Sequence, residues 1–173
     1  VCIVPLLAGI SPRALAQSFT IYGGVDNAVE HVTDVGASGD GLSRMASITG
    51  GVPSRLGFRG SEDLGGGLRA VFTLEQGFAP DSGTLGQGGR LFGRQAHVGL
   101  AGPWGALSVG RQYTMLFWSF LEADVLGPNL YGAGSLDSYI PNARADNSVA
   151  YRGSFGGFTG GASYSLGRDV VNA

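Results

Sequence analysis

The sequence predicts an all-β chain whose antiparallel strands form the wall of a transmembrane β-barrel. Three observations carry that expectation. Apolar and polar residues alternate with a period of two along most of the 173 residues, the pattern of a strand with one apolar face. The connections between these runs alternate between short and long, the asymmetry of barrels that cross an outer membrane. Charged residues make up only 14% of the chain, against roughly 25% in a typical soluble domain, yet no apolar run reaches the length of a membrane-spanning helix. A two-sheet sandwich would also alternate, but it has no reason to sort its loops by length.

Residues 1–16 come first. "VCIVPLLAGISPRAL" is an apolar segment that ends at Ala14-Leu15-Ala16, an A-x-A cleavage pattern that reads as part of an export signal. A short amphipathic anchor is the other reading. The single cysteine, Cys2, lies in this segment, so residues 17–173 hold no disulfide. The first strand is "FTIYGGVDNAVE", with Phe19, Ile21, Val25 and Val29 on one face and Thr20, Tyr22, Asp26 and Glu30 on the other. The second covers 47–60, and the third 68–78, where Leu68, Ala70, Phe72 and Leu74 alternate with Arg69, Thr73 and Glu75. The fourth runs through "RLFGRQAHVGL", the fifth through "ALSVGRQY", the sixth over 142–152 and the seventh through "FTGGASYSL". "SEDLGGG", "AGPWG" and "GSFGG" are short connections rich in turn formers, whereas 31–46, 79–89 and 114–141 are long.

Within "SRLGFRGSEDLGGGL", Arg55 and Arg59 alternate with Leu56 and Phe58. A soluble core does not readily take unpaired guanidinium groups. An arginine on the lipid face near the midplane costs roughly 2–4 kcal/mol, so both arginines are expected on the watery side. A one-residue slip would turn them outward, and register is set by that cost. Arg94 and Arg144 fall on strands four and six, which run in the same direction as strand two. Next-nearest strands lie roughly 10 Å apart, so Arg55, Arg94 and Arg144 are expected to form one positive patch; three separate arginines paired with local acids are the alternative. Gln95, His97 and Arg111 fall on the outward phase of strands four and five, unless a bulge intervenes.

The blocks "SRLGFRGSEDLGGGLRAVFTLEQGF", "GRQAHVGL", "WGALSVGRQY" and "NSVAYRG" resemble the amino-terminal half of a trimeric Gram-negative general porin, and "SFTIYGGVD" is similar to that family's mature start. The resemblance covers 17–173. It implies a barrel of sixteen strands when complete, of which about seven are present here, and therefore a longer chain. It also implies a homotrimer in the outer membrane, reached by export through the periplasm and surrounded by lipid and lipopolysaccharide. Arg55, Arg94 and Arg144, with Arg59 nearby, match the basic side of the family's constriction. Segment 114–141 matches the third loop, which folds inward, and its acids are Glu122, Asp124 and Asp137. Asp124 matches the family's loop carboxylate best, and each of these acids has mere solvation as its alternative. The family's Pro-Glu-Phe-Gly-Gly run is replaced by "GPNLYGAG", so one carboxylate of that pattern is missing. In the family the early strands form the trimer contact, which makes Gln95, His97 and Arg111 candidate subunit contacts.

The function expected from this resemblance is a water-filled channel for passive diffusion of small hydrophilic solutes and ions. A structural or adhesive barrel with a plugged lumen is the alternative, and a barrel-borne enzyme is a third. His31 and His97 are far apart, no G-x-S-x-G elbow occurs, and no spacing suggests zinc. No catalytic, metal or cofactor site is therefore expected. The net charge of −2 leaves no basic footprint for nucleic acid. All 11 basic residues are arginine. A GC-rich genome would give that bias, but arginine also keeps its charge in a confined site.

Overall fold

The computed structural model describes residues 18–46, 53–125 and 143–167. The expected export segment, residues 1–16, lies outside the described residues, as does Asp137. The described strands are β1 (Ser18–Gly24), β2 (Ala28–Val35), β3 (Asp40–Ala46), β4 (Arg55–Gly65), β5 (Leu68–Gly77), β6 (Gln95–Gly102), β7 (Gly105–Tyr113), β8 (Arg144–Phe155) and β9 (Phe158–Ser165). Between β5 and β6 a single glycine-rich turn, α1 (Gly86–Gly89), interrupts the connection; the helix α2 (Met115–Ala123) follows β7. Seven strands make one antiparallel sheet in the order β1-β4-β5-β6-β7-β8-β9. This is the meander that the alternation predicted, an open stretch of barrel wall.

Segment 31–46, expected as a long connection, instead lies largely in a hairpin of its own, β2 paired with β3. Glu30 faces Arg44 and His31 faces Ser43 across it, and Gly36 and Gly39 take positive φ at its tip. Its polar cross-strand pairs read as loop composition, which hid the strands. The hairpin leaves the main sheet at residues 25–27, where Ser54 closes the joint. The Ser54 hydroxyl accepts from the Asp26 amide at 2.8 Å and donates to the Asp26 carbonyl at 3.0 Å.

Cross-strand register sorts the side chains, because residues directly opposite share a face. Phe19, Ile21, Leu56, Phe58, Phe72, Leu74, Val98, Leu100, Leu107, Val109 and Val149 fall on one face. These apolar residues are open rather than packed: Ile21 is 62% exposed and Val98 53% exposed. An apolar sheet face left open in this way fits hydrocarbon, not water. Near the short turns the face carries aromatics: Trp104 stacks on Tyr151 with centroids 6.3 Å apart, and Phe155 and Phe158 are exposed beside them. Aromatic rings of this kind sit at the membrane–water boundary.

The opposite face is polar. It carries Thr20, Arg59, Thr73, His97, Ser148 and Ser165 in adjoining register. Gln95 and His97 were expected on the outward phase, and this is corrected: Gln95 pairs with Glu75 and His97 with Thr73, both on the polar face. The ladder of β6 begins only at Gln95, so Arg94 precedes it in a bend whose amide donates to the Glu75 carbonyl at 3.1 Å. Counting alternation through that bend reversed the two residues after it. Arg111 does follow the outward phase of Leu107 and Val109, opposite Ala96. Its guanidinium donates to the Gly93 carbonyl at 2.7 Å and to Asp146 at 2.5 Å, so its charge is met within its own chain.

The register between β7 and β8 shifts after Gly110, where Asn147 has φ 47°. Three residues of β8 span two of β7 here, so the extra residue of this β-bulge lies on β8. Tyr113, with Phe117 and Ala143, forms the small buried cluster on which α2 rests. Thr114 caps the helix by accepting from the Phe117 amide at 3.3 Å. Met115 lies where a side chain on Gly161 would stand, which seats α2 on the polar face.

Candidate functional site: a basic wall beneath an inward helix

Arg55, Arg59, Arg94 and Arg144 come together on the polar face around one carboxylate. Glu75 is 4% exposed and Arg94 is 4% exposed. Arg94 Nε donates to Glu75 Oε1 at 2.7 Å, and the Tyr22 hydroxyl donates to Oε2 at 2.8 Å. Arg55 Nε stands 4.0 Å from the same Oε2. Arg94 Nη2 reaches on to the Tyr113 hydroxyl at 2.7 Å, which also accepts from Arg144 Nη2 at 2.9 Å. The Arg144 guanidinium lies 4.5 Å from the Tyr113 ring centroid, and that of Arg59 lies 5.3 Å from the Tyr22 ring. Two tyrosines and a glutamate thus hold four guanidinium groups in one array, where like charges would otherwise repel. Within this described cluster the positive groups outnumber the carboxylate, and the patch is strongly basic.

The local sequence explains the placement. Tyr22, Gly57, Glu75 and Gln95 stand side by side on β1, β4, β5 and β6. Because Gly57 has no side chain, the Tyr22 ring lies across β4 and reaches Glu75; a Cβ at Gly57 would collide with that ring. Gly57→Val is therefore expected to displace Tyr22 and to destabilise the full-length barrel by about 1–3 kcal/mol, the usual cost of overpacking. Denaturant unfolding in detergent measures it, and an unchanged midpoint would show that Tyr22 does not need that gap.

Of the expected acidic loop residues, Glu122 lies on α2 and accepts from Arg152 Nη2. Asp124 is the residue that ends α2. Glu75, Tyr22, Tyr113 and Arg152 were not among the sequence candidates. Glu75 and Tyr22 stood on the polar phase of the alternation, the one signal that could have singled them out. Among the described residues, no group of three or more His, Cys, Asp and Glu side chains could hold a metal ion. No described helix is long and apolar enough to cross a membrane, which says nothing of strands.

A family profile described as Gram-negative porin matches residues 4–173. The chain belongs to the Gram-negative porin family. An outer membrane porin protein of Bordetella pertussis is 40% identical to this porin over 186 residues, taking in 97% of the chain and 48% of the relative. Outer membrane porin protein 32 of Delftia acidovorans is 36% identical over 90% of the chain and 46% of its own length. An anion-selective porin from Comamonas acidovorans, whose structure is solved, superposes with a TM-score of 0.69 at 31% identity, over 87% of this chain and 47% of that one. The porin chain spans about half the length of the curated relatives it matches. Its place is the Gram-negative outer membrane.

Proposed function

We propose that the complete protein is a channel for passive diffusion of small hydrophilic solutes and ions, and that it favours anions. The carrying observation is the array of Arg55, Arg59, Arg94 and Arg144 on the polar wall. In a closed barrel that wall faces water, and α2 lies over it from the inside. Low-dielectric walls focus the field of such a patch, and rings of arginine favour anions in a pore. The similarity to the anion-selective porin from Comamonas acidovorans supports the same preference. No step needs bond chemistry, ATP or a coupling ion. The alternative of a plugged, adhesive barrel has no comparable support.

Assembly as a homotrimer belongs to the same proposal, on the strength of the sequence resemblance. Gln95 and His97 lie on the polar wall, so the interface is expected from apolar residues of the early strands. Planar-bilayer recording on the full-length protein tests the channel. Large, stepwise, ohmic currents whose reversal potential in a KCl gradient favours chloride are expected. A silent membrane containing correctly folded protein would sink the proposal.

A further inference from the structure

We propose that Arg152 is the positioning residue that locks the C-terminal half of α2 onto the lumenal wall, and that Glu122 is its anchor rather than an acid that sets the field of the pore. The proposal rests on the channel reading of the same site and deepens it.

Met115, Trp118 and Glu122 are spaced to lie along one side of α2. Beneath them stands Arg152 on β8, whose register partners are Ala106 on β7 and Gly161 on β9. These small neighbours leave the guanidinium standing clear of the wall. It covers the Trp118 ring at 4.4 Å from the centroid and donates from Nη2 to Glu122 Oε1. One planar cation therefore holds two residues a helical turn apart, a geometry that suits arginine and not lysine.

The two halves of α2 are held differently. The N-terminal half has the Thr114 cap and the stack of Phe117 on Tyr113, with centroids 4.2 Å apart. Between the helix and the wall lies a cavity of about 140 Å³, lined by His97, Ala106, Gln112, Ala150, Trp118 and Arg152. Trp118 and Leu121 pack against the cluster of Tyr113, Phe117 and Ala143, but close packing does not fill that space, and the polar clamp at its edge ties down the end of the helix at Glu122. An exposed ion pair alone is worth little. Here the pair is joined to an aromatic stack, and the three groups act together. A second consequence follows from charge: with Arg152 against it, Glu122 offers the lumen little net field, so the basic wall dominates.

The test uses the folded full-length protein and two readouts, hydrogen exchange over residues 119–123 and current noise in a planar bilayer. Arg152→Gln and Glu122→Gln are each expected to speed exchange about tenfold and to replace steady current with flicker. The charge-swapped pair, Arg152→Glu with Glu122→Arg, is expected to restore both. Arg152→Lys, which keeps the charge and loses the planar stack, should fall between. Exchange and noise unchanged in both single variants would overturn the proposal, as would a swap that restores neither. So would a Glu122→Gln protein whose reversal potential moves as far as that of Arg144→Gln while exchange stays constant. A silent wild-type protein would count against the channel reading alone, because the exchange measurement still decides the clamp.

Discussion

Glu75→Gln is expected to lower the stability of the full-length barrel by about 3–5 kcal/mol, the scale for breaking a buried charge pair from one side. Glu75 and Arg94 are both 4% exposed, so neither water nor counter-ions can replace the lost carboxylate. The glutamine keeps one acceptor oxygen, which serves Arg94 or Tyr22 but not both in the present geometry, and it cannot offset the Arg94 charge. Arg55, at 4.0 Å from the carboxylate, loses its counter-charge at the same time. Guanidinium unfolding of the folded protein in detergent reads the change. A midpoint equal to that of the wild type would mean that Arg94 finds another acid, and the wall would have to be redrawn.

Arg55→Gln combined with Arg144→Gln is expected to move the reversal potential clearly toward cations. A unit charge about 7 Å from an ion path changes the ion's energy by about 0.6 kcal/mol even at the dielectric constant of water. Chloride and potassium shift in opposite senses, so each removed charge should change the chloride-to-potassium permeability ratio by about sevenfold. Arg94→Gln should also shift the ratio toward cations, but by less than either of these. Its guanidinium is buried in the wall behind Tyr113, farther from water than those of Arg55 and Arg144, and the effect of a charge falls with distance. Recording in a KCl gradient separates the three variants. An unchanged reversal potential in the double variant removes the basic wall from the conduction path, and a larger shift for Arg94→Gln than for the double variant reverses the assignment of depth.

Much of the wall could be read from local pattern. Arg55 and Arg59 alternate with Leu56 and Phe58, and the observed register keeps the two sets on opposite faces. The expectation failed where the pattern was broken by geometry that leaves no local trace. Gln95 and His97 were turned outward because the count ran through the bend at Arg94, which is not part of the ladder. The β2–β3 hairpin was missed because Glu30, His31, Ser43 and Arg44 have the composition of a surface loop. The bulge near Asn147, at positive φ on β8, shifts the pairing of β7 with β8.

The sequence by itself determined the succession of the seven strands in the main sheet, which face is apolar and which polar, and that arginine stands on the polar face. These properties depend on one residue and its near neighbours, and a period of two records them. Only the tertiary structure decided that Glu75 joins Tyr22 and Arg94, that Tyr113 bridges Arg94 and Arg144, and that Arg152 grips α2 through Trp118 and Glu122. Those partners come from strands and a helix far apart in the chain. Their meeting depends on cross-strand register and on the bulge, which no single segment encodes.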